Sequence, residues 1–281
     1  MRTVADLRAL RASVQAWKKD GHRVGFVPTM GNLHAGHYSL VELARQHTDR
    51  AVVSVFVNPT QFGPNEDYSR YPRTLAEDSV GLVEHQCDLL FAPTVETMYP
   101  FGPDHALRIH VPDIGDILEG EHRPGHFDGV ATVVAKLMMM VEPDLAVFGR
   151  KDWQQLLVVR RLVHELALPV EIVAAPIVRE EDGLALSSRN RYLDVGHRAR
   201  ASQLHSTLEW MRESFAKGHV RGAIEVAAMH RLERAGFVPD YATVRLAADL
   251  GLPSKDERAG LMALVAAKLG DTRLIDNLEF D

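Results

Sequence analysis

The sequence of 281 residues has one cysteine, Cys87, no long apolar run and no excess of positive charge. One cysteine excludes an internal disulfide. No apolar run approaches the roughly 18 residues that a membrane-spanning helix requires. The segment Met1–Asp20 also scatters Arg and Lys without the apolar centre of a secretory signal. We therefore expect a cytoplasmic protein that does not bind membranes.

The charge balance limits the possible partners. The chain carries 32 Lys and Arg against 38 Asp and Glu, a formal net charge of −6. Such a chain has no overall cationic field to hold DNA or tRNA, so we expect no nucleic-acid partner and a local site for any anionic ligand. With 46% hydrophobic and 25% charged residues and no low-complexity tract or repeat, it is long enough for two globular domains.

The first part of the chain alternates β-branched runs with amphipathic stripes, which predicts a doubly wound, Rossmann-like parallel sheet. Nearly uniform apolar runs are typical of strands that are buried on both faces. The predicted strands are 23–29, 51–57, 87–92, 144–149 and 170–178. Apolar stripes at three- and four-residue spacing predict helices around 40–47, 130–141 and 153–168, the last two ended by Pro143 and Pro169. The Met138–Met140 run is assigned to the core.

A polar segment, 179–191, then predicts a hinge before a smaller α+β domain. Helical runs over 197–218 and 220–236 are followed by alternating stretches at 241–246, 261–269 and 273–277, with a turn at Gly270-Asp271. This pattern predicts two helices and a small antiparallel sheet. The predicted domains are 1–178 for ligand binding and 179–281 as a lid.

The turn Pro28–His37 is the most informative stretch, because it joins the first buried strand to a helix. Ligands bind beyond the carboxyl ends of parallel strands, where a helix N-terminus offers N–H groups to phosphate. Gly31 and Gly36 allow close backbone approach, and His34 and His37 supply imidazole donors. An isolated His-x-x-His is more often a turn with incidental histidines, but this position favours a phosphate site.

Three other phosphate or metal sites fit this sequence less well. The spacing from Gly31 resembles a Walker loop, but His37-Tyr38 replaces the Lys-Ser/Thr pair, and no Gly-x-Gly-x-x-Gly is present. A zinc site lacks a full ligand set, since His122 and His126 lie in an unrelated loop.

The His34–His37 turn resembles the His-x-Gly-His signature of the nucleotidylyl-transferring α/β superfamily, and the chain resembles the pantoate–β-alanine ligase family within it. An acidic residue is frequent in relatives at the position of Ala35. Five segments in order, and the ending DTRLIDN (271–277), carry the resemblance: PTMGNLHAGHYSLV (28–41), FVNPTQFGPNEDYSRYPRT (56–74), EGEHRPGHFDGVATVVAKL (119–137), FGRKDWQQL (148–156) and LALSSRN (184–190).

The resemblance implies that ATP activates pantoate as pantoyl adenylate, and that β-alanine then displaces AMP. The pantoate carboxylate is already ionised at neutral pH, so the first step needs alignment and charge screening rather than a base. Catalytic roles are implied for His34, His37, Lys151, Ser187, Ser188 and Arg189. The same resemblance implies ATP contacts at Met30, Gly31, Asn32, Leu33, His34, Ala35, Gly36, His37, Gly149, Arg150, Lys151, Asp152, Val178, Leu186, Ser187, Ser188 and Arg189.

The resemblance also implies the remaining ligands. Gln61, Gln155 and Asn58 are expected to bind the organic substrates, since an amide bonds both hydroxyl and carboxylate; Gln154 is expected on the surface. Mg²⁺ is expected with ATP, with Glu77 and Asp78 as candidate ligands or, equally, a solvated helix face. Arg123 and His126 either close over the site or form a surface loop. A homodimer is expected.

Competing functions remain open at this point. A nucleotidylyltransferase with a phosphorylated acceptor would call for Arg or Lys where Gln61 and Gln155 stand. An aminoacyl-tRNA synthetase shares the turn but needs a basic tRNA-binding surface. A silent nucleotide-binding regulator would bind ATP without turnover. The base that accepts a proton from the β-alanine ammonium is not identified, and we assign acid/base and phosphate-stabilising roles to His37 and mainly phosphate stabilisation to His34.

Overall fold

The computed structural model describes residues 1–64 and 66–280. Asn65, within the segment 56–74, and the terminal Asp281 lie outside the described residues. The chain forms two compact units. The first comprises Met1–Arg150 and Val158–Pro176; the second comprises Lys151–Leu157 and the described residues from Ile177 onward.

The first unit contains a six-stranded, entirely parallel sheet in the order β1-β4-β3-β2-β5-β6. Its strands are β1 (Arg2–Val4), β2 (Val24–Thr29), β3 (Arg50–Val55), β4 (Leu89–Phe91), β5 (Leu145–Gly149) and β6 (Glu171–Ala175). The chain runs outward from β2 through β3 and β4, then returns to β5 on the other side of β2. Ligands of open α/β sheets bind at such a reversal, next to the carboxyl ends of the two central strands.

Helices connect these strands. They are α1 (Leu7–Lys19), α2 (Ala35–His47), α3 (Leu75–Glu84), α4 (Val95–Met98), α5 (Glu119–His122), α6 (His126–Val141) and α7 (Trp153–Glu165). The residues of α7 up to Leu157 group with the second unit. The predicted helix over 130–141 is buried almost all round rather than along one stripe, because nearly every position of α6 is apolar or small.

The second unit packs three helices on a three-stranded antiparallel sheet with the order β7-β8-β9. Its elements are α8 (Val195–Ala201), α9 (Gln203–Ala216), α10 (Arg221–Arg234), β7 (Val238–Leu246), β8 (Leu261–Leu269) and β9 (Thr272–Glu279). Gly236 adopts a positive φ of 88° just beyond α10, and Gly270, with φ of 59°, turns the β8–β9 hairpin. The turn at Gly270 is as predicted, and the positive φ of Gly236 is typical of a glycine just beyond the end of a helix.

The parallel α/β sheet and the antiparallel second sheet confirm the predicted fold class. One strand was missed, because the three-residue edge strand β1 has too little sequence pattern to be recognised. Two local predictions were wrong. The helix predicted over 197–218 is two helices that meet at Ser202. Met139, assigned to the core, is 51% exposed.

Candidate active site

The turn after β2 is held by a buried carboxylate from α3. Asp78 accepts hydrogen bonds from the backbone N–H groups of Asn32 (2.9 Å) and Leu33 (2.8 Å) and from the Thr74 hydroxyl (3.2 Å). Gly31 and Asn32 have positive φ values of 84° and 53°, so two successive residues curl their backbone around this carboxylate. A concave backbone turn of this kind, called a nest, binds anions, and here the Asp78 carboxylate occupies it.

This geometry alters two expectations from the sequence. Asn32 and Leu33 are both predicted to contact ATP, but their backbone N–H groups donate to Asp78. Asp78 itself is 2% exposed, and both its oxygens accept hydrogen bonds, so the structure gives no support to its prediction as a Mg²⁺ ligand. Its neighbour Glu77 is exposed on α3. Within residues 1–64 and 66–280 no cluster of three or more His, Cys, Asp or Glu side chains could hold a metal ion.

The two histidines of the turn lie side by side, with ring centroids 4.1 Å apart. His34 is the N-cap of α2, and its Nδ1 accepts the N–H of Gly36 at 3.1 Å. An imidazole that accepts through Nδ1 carries its proton on Nε2 when neutral. The cap therefore fixes the tautomer of His34 and leaves Nε2–H as the donor of this ring. His37 lies in the first turn of the same helix.

A cluster of neutral polar groups follows β3. The Nε2 of Gln61 donates to the Met30 thioether (3.0 Å), and its Oε1 accepts from the Nδ2 of Asn58 (3.1 Å). Asn58 is 1% exposed, and it also donates to the Gly129 carbonyl and accepts from the Tyr99 hydroxyl. The structure thus joins Met30, Asn58 and Gln61, but the side chain of Asn58 is used internally to hold Gln61.

A second network holds the Gln61 backbone. His126, the first residue of α6, donates from Nδ1 to the Gln61 carbonyl at 2.9 Å and accepts from Arg123 at Nε2, 3.0 Å away. Arg123 also pairs with both oxygens of Glu66, at 2.8 and 2.7 Å. Burial, reinforced by the Arg123 charge, lowers the pKa of His126 to about 4. This neutral His126 is a support for Gln61 rather than part of a surface loop.

The residues after β5 divide between the two units. Gly149 and Arg150 belong to the first unit, and Lys151, Asp152 and Gln155 belong to the second. Arg150–Asp152 form one turn of 3-10 helix before α7. Gln155 is half-buried. Gln154 is buried, so its expected surface position was wrong.

The polar segment 179–191, which the sequence predicts as a hinge, folds back on itself as a hairpin. Arg179 and Ala185 form an antiparallel bridge, and the Leu186 N–H donates to the Val178 carbonyl at 3.0 Å. The Ser187 hydroxyl accepts from the Arg189 N–H at 3.3 Å and caps the 3-10 helix Ser188–Tyr192. The segment therefore presents Ser187, Ser188 and Arg189 at a defined helix start. A lid role stays a prediction.

Sequence reasoning missed the supporting roles of Asp78, Glu66 and Tyr99. Glu66 lies within the segment 56–74 that carries the family resemblance, so the signal was present without an assigned role. Tyr99 had no such signal, because only folding brings its hydroxyl 2.8 Å from the side-chain Oδ1 of Asn58.

The chain matches the family model described as Pantoate-beta-alanine ligase over residues 2–279. It is 59% identical to the pantothenate synthetase of Xanthomonas axonopodis pv. citri (strain 306) over 280 residues, covering 100% of both chains. It is 55% identical to that of Stenotrophomonas maltophilia (strain K279a), again with 100% coverage of both.

Two solved structures extend the similarity to the fold. The pantothenate synthetase of Thermus thermophilus superposes with a TM-score of 0.93 at 50% identity and covers 100% of both chains. The Francisella tularensis pantoate-beta-alanine ligase, complexed with beta-gamma ATP and beta-alanine, gives a TM-score of 0.84 at 32% identity, covering 99% of this chain and 97% of that one. The chain belongs to the pantoate–β-alanine ligase family.

Proposed function

We propose that this ligase joins pantoate to β-alanine with ATP in two steps. A pantoate carboxylate oxygen attacks the α-phosphorus of ATP, the bond to pyrophosphate breaks, and pantoyl adenylate forms. The β-alanine amine then attacks the acyl carbon, and AMP leaves. The observation that carries the proposal is the side-by-side pair His34 and His37 at the carboxyl end of β2, where α2 begins. This end of a central parallel strand is where phosphate binds in such sheets.

The tautomer of His34 supports a phosphate-binding role. Its Nδ1 is committed to the Gly36 N–H, so the neutral ring offers a proton only from Nε2. A fixed donor costs no reorganisation as negative charge develops on the phosphate. We assign His37, whose ring lies 4.1 Å away, to phosphate stabilisation and to proton transfer with the β-alanine amine.

The neutral cluster after β3 supports recognition of pantoate. Gln61 can bond both hydroxyl and carboxylate groups and brings no net charge, whereas a phosphorylated acceptor would call for Arg or Lys. This favours the ligase over a nucleotidylyltransferase acting on a phosphate. Asn58, whose own polar atoms bond internally, would fix the amide of Gln61 rather than bind substrate itself. Gln155 is the second proposed pantoate ligand.

The remaining ATP contacts are proposed from the family resemblance. Lys151 would supply a point charge to the phosphates, and Asp152 would bind the ribose hydroxyls. Ser187, Ser188 and Arg189 would hold the departing pyrophosphate. The cap that Ser187 places on its own 3-10 helix supports a preorganised loop. Residues 1–178 and 179–281 remain our proposed binding and lid domains.

Mg²⁺ remains part of the proposal, although the described protein residues do not form a cage for it. Asp78 is committed to the turn after β2, and Glu77 lies on the exposed face of α3. Mg²⁺ commonly keeps several waters and binds through substrate phosphates with one or two carboxylates. We therefore expect it to arrive with ATP, and we assign no catalytic step to it.

Product analysis tests the function. With ATP, Mg²⁺, pantoate and β-alanine together, we expect equal amounts of AMP, pyrophosphate and pantothenate. Formation of ADP would show activation by phosphorylation and would refute the proposal, and tight ATP binding without turnover would favour a regulator. His34→Ala and His37→Ala should each lower turnover by roughly 10²- to 10³-fold. If His37→Ala keeps nearly full single-turnover adenylation, its assignment is wrong.

Oligomeric state and location are separate proposals. We propose a homodimer; Phe101 and Leu107, which are 82% and 93% exposed, are apolar surface that a second copy could cover. Light scattering that gives the mass of one chain would refute this. No helix in the described part of the chain has the length and apolar character needed to cross a bilayer. We propose a cytoplasmic location, which fluorescence microscopy of a tagged chain can test.

A further inference from the structure

Two buried polar residues on the last strand have no role in the site proposed above. Asp276 and Asn277 end the DTRLIDN segment on β9, and both are almost fully buried. Buried polar side chains cost free energy unless they make hydrogen bonds. Their partners therefore indicate what the pair does.

Asp276 holds the start of the hairpin that leads to Ser187. Its two carboxylate oxygens accept from Arg179 at 2.7 and 3.0 Å, a bidentate pair. Arg179 also donates to the Gly183 carbonyl, at 3.0 Å, and to the Asn277 carbonyl, at 3.3 Å. The pair thus anchors both sides of the hairpin to β9.

Asn277 holds the turn that contains Lys151, the second segment of this unit with a proposed catalytic role. Its Nδ2 donates to the backbone carbonyl of Lys151 at 2.8 Å, and its backbone N–H donates to Asp276 at 2.8 Å. The direction of the first bond is unambiguous because a carbonyl only accepts. Lys151 and Asn277 are 126 residues apart in sequence, so this contact fixes the Lys151 turn against the sheet of the second unit.

We propose that Asn277 is a positioning residue for catalysis: by holding the Lys151 carbonyl, it sets where the Lys151 ammonium lies during adenylation. The inference rests on the proposed role of Lys151. A flexible lysine stem finds its position partly from its backbone, and misplacement of a catalytic group by about 1 Å can cost 10²-fold in rate. A purely structural bond would affect folding but not the rate through Lys151.

Asn277→Asp separates hydrogen bonding from packing, because the two side chains have the same shape. The change replaces the donor with a carboxylate oxygen that faces the Lys151 carbonyl, and two acceptors at this distance repel. Asn277→Ser is the second variant in case Asn277→Asp does not fold. Arg273→Gln is the matched control on the same strand: it breaks the ion pair with Asp240, 2.7 Å long, which involves neither catalytic segment.

The readout is pyrophosphate release in a single turnover at saturating ATP, so that effects on nucleotide binding through Asp152 do not contribute. Thermal unfolding of every variant is measured alongside. We expect Lys151→Ala to slow release by roughly 10²-fold, Asn277→Asp by about 10- to 100-fold, and Arg273→Gln by less than about twofold.

The double variant Lys151→Ala/Asn277→Asp decides the question. If Asn277 acts through Lys151, the double variant should be no slower than Lys151→Ala alone, within about twofold. Multiplicative losses would overturn the inference, as would a wild-type rate for both Asn277→Asp and Asn277→Ser. If Lys151→Ala itself keeps the wild-type rate, the proposed role of Lys151 fails and the inference with it.

Discussion

Gly129 of α6 packs against the backbone of Pro59–Gln61, a one-turn 3-10 helix that follows β3, so a single added methyl group tests the proposed pantoate site. A Cβ at position 129 would overlap the Thr60 carbonyl oxygen and would lie 2.7 Å from the Gln61 Cα. Ordinary contacts between such atoms are about 3.5 Å. Since the obstacle is backbone, no rotamer change relieves it, and the Thr60–Gln61 turn must move by about 1 Å.

Two opposing free-energy terms determine the stability of Gly129→Ala. Alanine is favoured over glycine inside a helix by about 1 kcal/mol. Overpacking of this kind costs about 1–3 kcal/mol. We therefore expect a net loss of up to about 2 kcal/mol, which lowers the midpoint of thermal unfolding by up to about 8 °C.

Steady-state kinetics measure the effect of Gly129→Ala on the use of pantoate. A shift of about 1 Å at Gln61 should reduce kcat/KM for pantoate by about 10- to 100-fold. The KM for ATP should change less, because the turn after β2 is held separately by Asp78. The control is Gly222→Ala in α10, where a Cβ meets nothing within 4 Å, and we expect equal or higher stability and unchanged kinetics. Full pantoate affinity in a folded Gly129→Ala protein would refute the placement of Gln61.

Three further predictions use other buried contacts. Burial lowers the pKa of His126 to about 4, so between pH 6.5 and 4 the unfolded chain binds more protons than the folded chain. The free energy of unfolding therefore decreases as the pH is lowered through this range. Between pH 7 and pH 5 the free energy of unfolding, measured with urea, should fall by about 2 kcal/mol less in His126→Gln than in the parent protein. An equal fall in the two proteins would contradict a buried neutral ring. Asp78→Ala should weaken ATP binding at every Mg²⁺ concentration, since it releases the turn; rescue by high Mg²⁺ would indicate a metal ligand, and Glu77→Ala is the control. Gly81→Ala puts a Cβ against the Tyr38 ring and hydroxyl and, by the same two free-energy terms, should destabilise the protein by up to about 2 kcal/mol. This loss should disappear in a Tyr38→Leu background if the clash is the cause.

The sequence predicted most of the first sheet because its central strands are buried on both faces. Five nearly uniform apolar runs matched β2 to β6 to within a few residues, whereas the edge strand β1 is too short to show a pattern. The turn that carries His34 and His37 could also be predicted, since a glycine-containing turn between a buried strand and an amphipathic helix is a local signal. The break between α8 and α9 at Ser202 could not be predicted, because the apolar stripe continues through it.

The residues that hold the proposed binding residues in place could not be predicted from local sequence signals. Asp78 and Asn32 are 46 residues apart, and Gln61 and His126 are 65 apart. An aspartate in the first turn of a helix is ordinarily solvated, and nothing local to α3 indicates that its carboxylate fills a backbone nest. Only the crossover topology brings these groups together. A sequence motif therefore shows that a residue is important, but not whether it contacts the ligand or positions another residue that contacts it.

Burial separates these two kinds of residue. Asp78 and Asn58 are almost fully buried, and their polar atoms bond within the protein, whereas His34 and His37 are half-buried at the start of α2. A buried group whose donors and acceptors are all used, such as the Asn58 amide, cannot bind substrate without first breaking hydrogen bonds, which costs about as much as the new bonds would return. Gln61 is also buried, but beyond its bonds to Met30 and Asn58 its amide keeps a second N–H and a second Oε1 lone pair, which the proposed pantoate contacts would use. Substitutions at the buried groups should therefore change stability and affinity together. Substitutions at the half-buried imidazoles should lower the rate of adenylation while the fold stays intact.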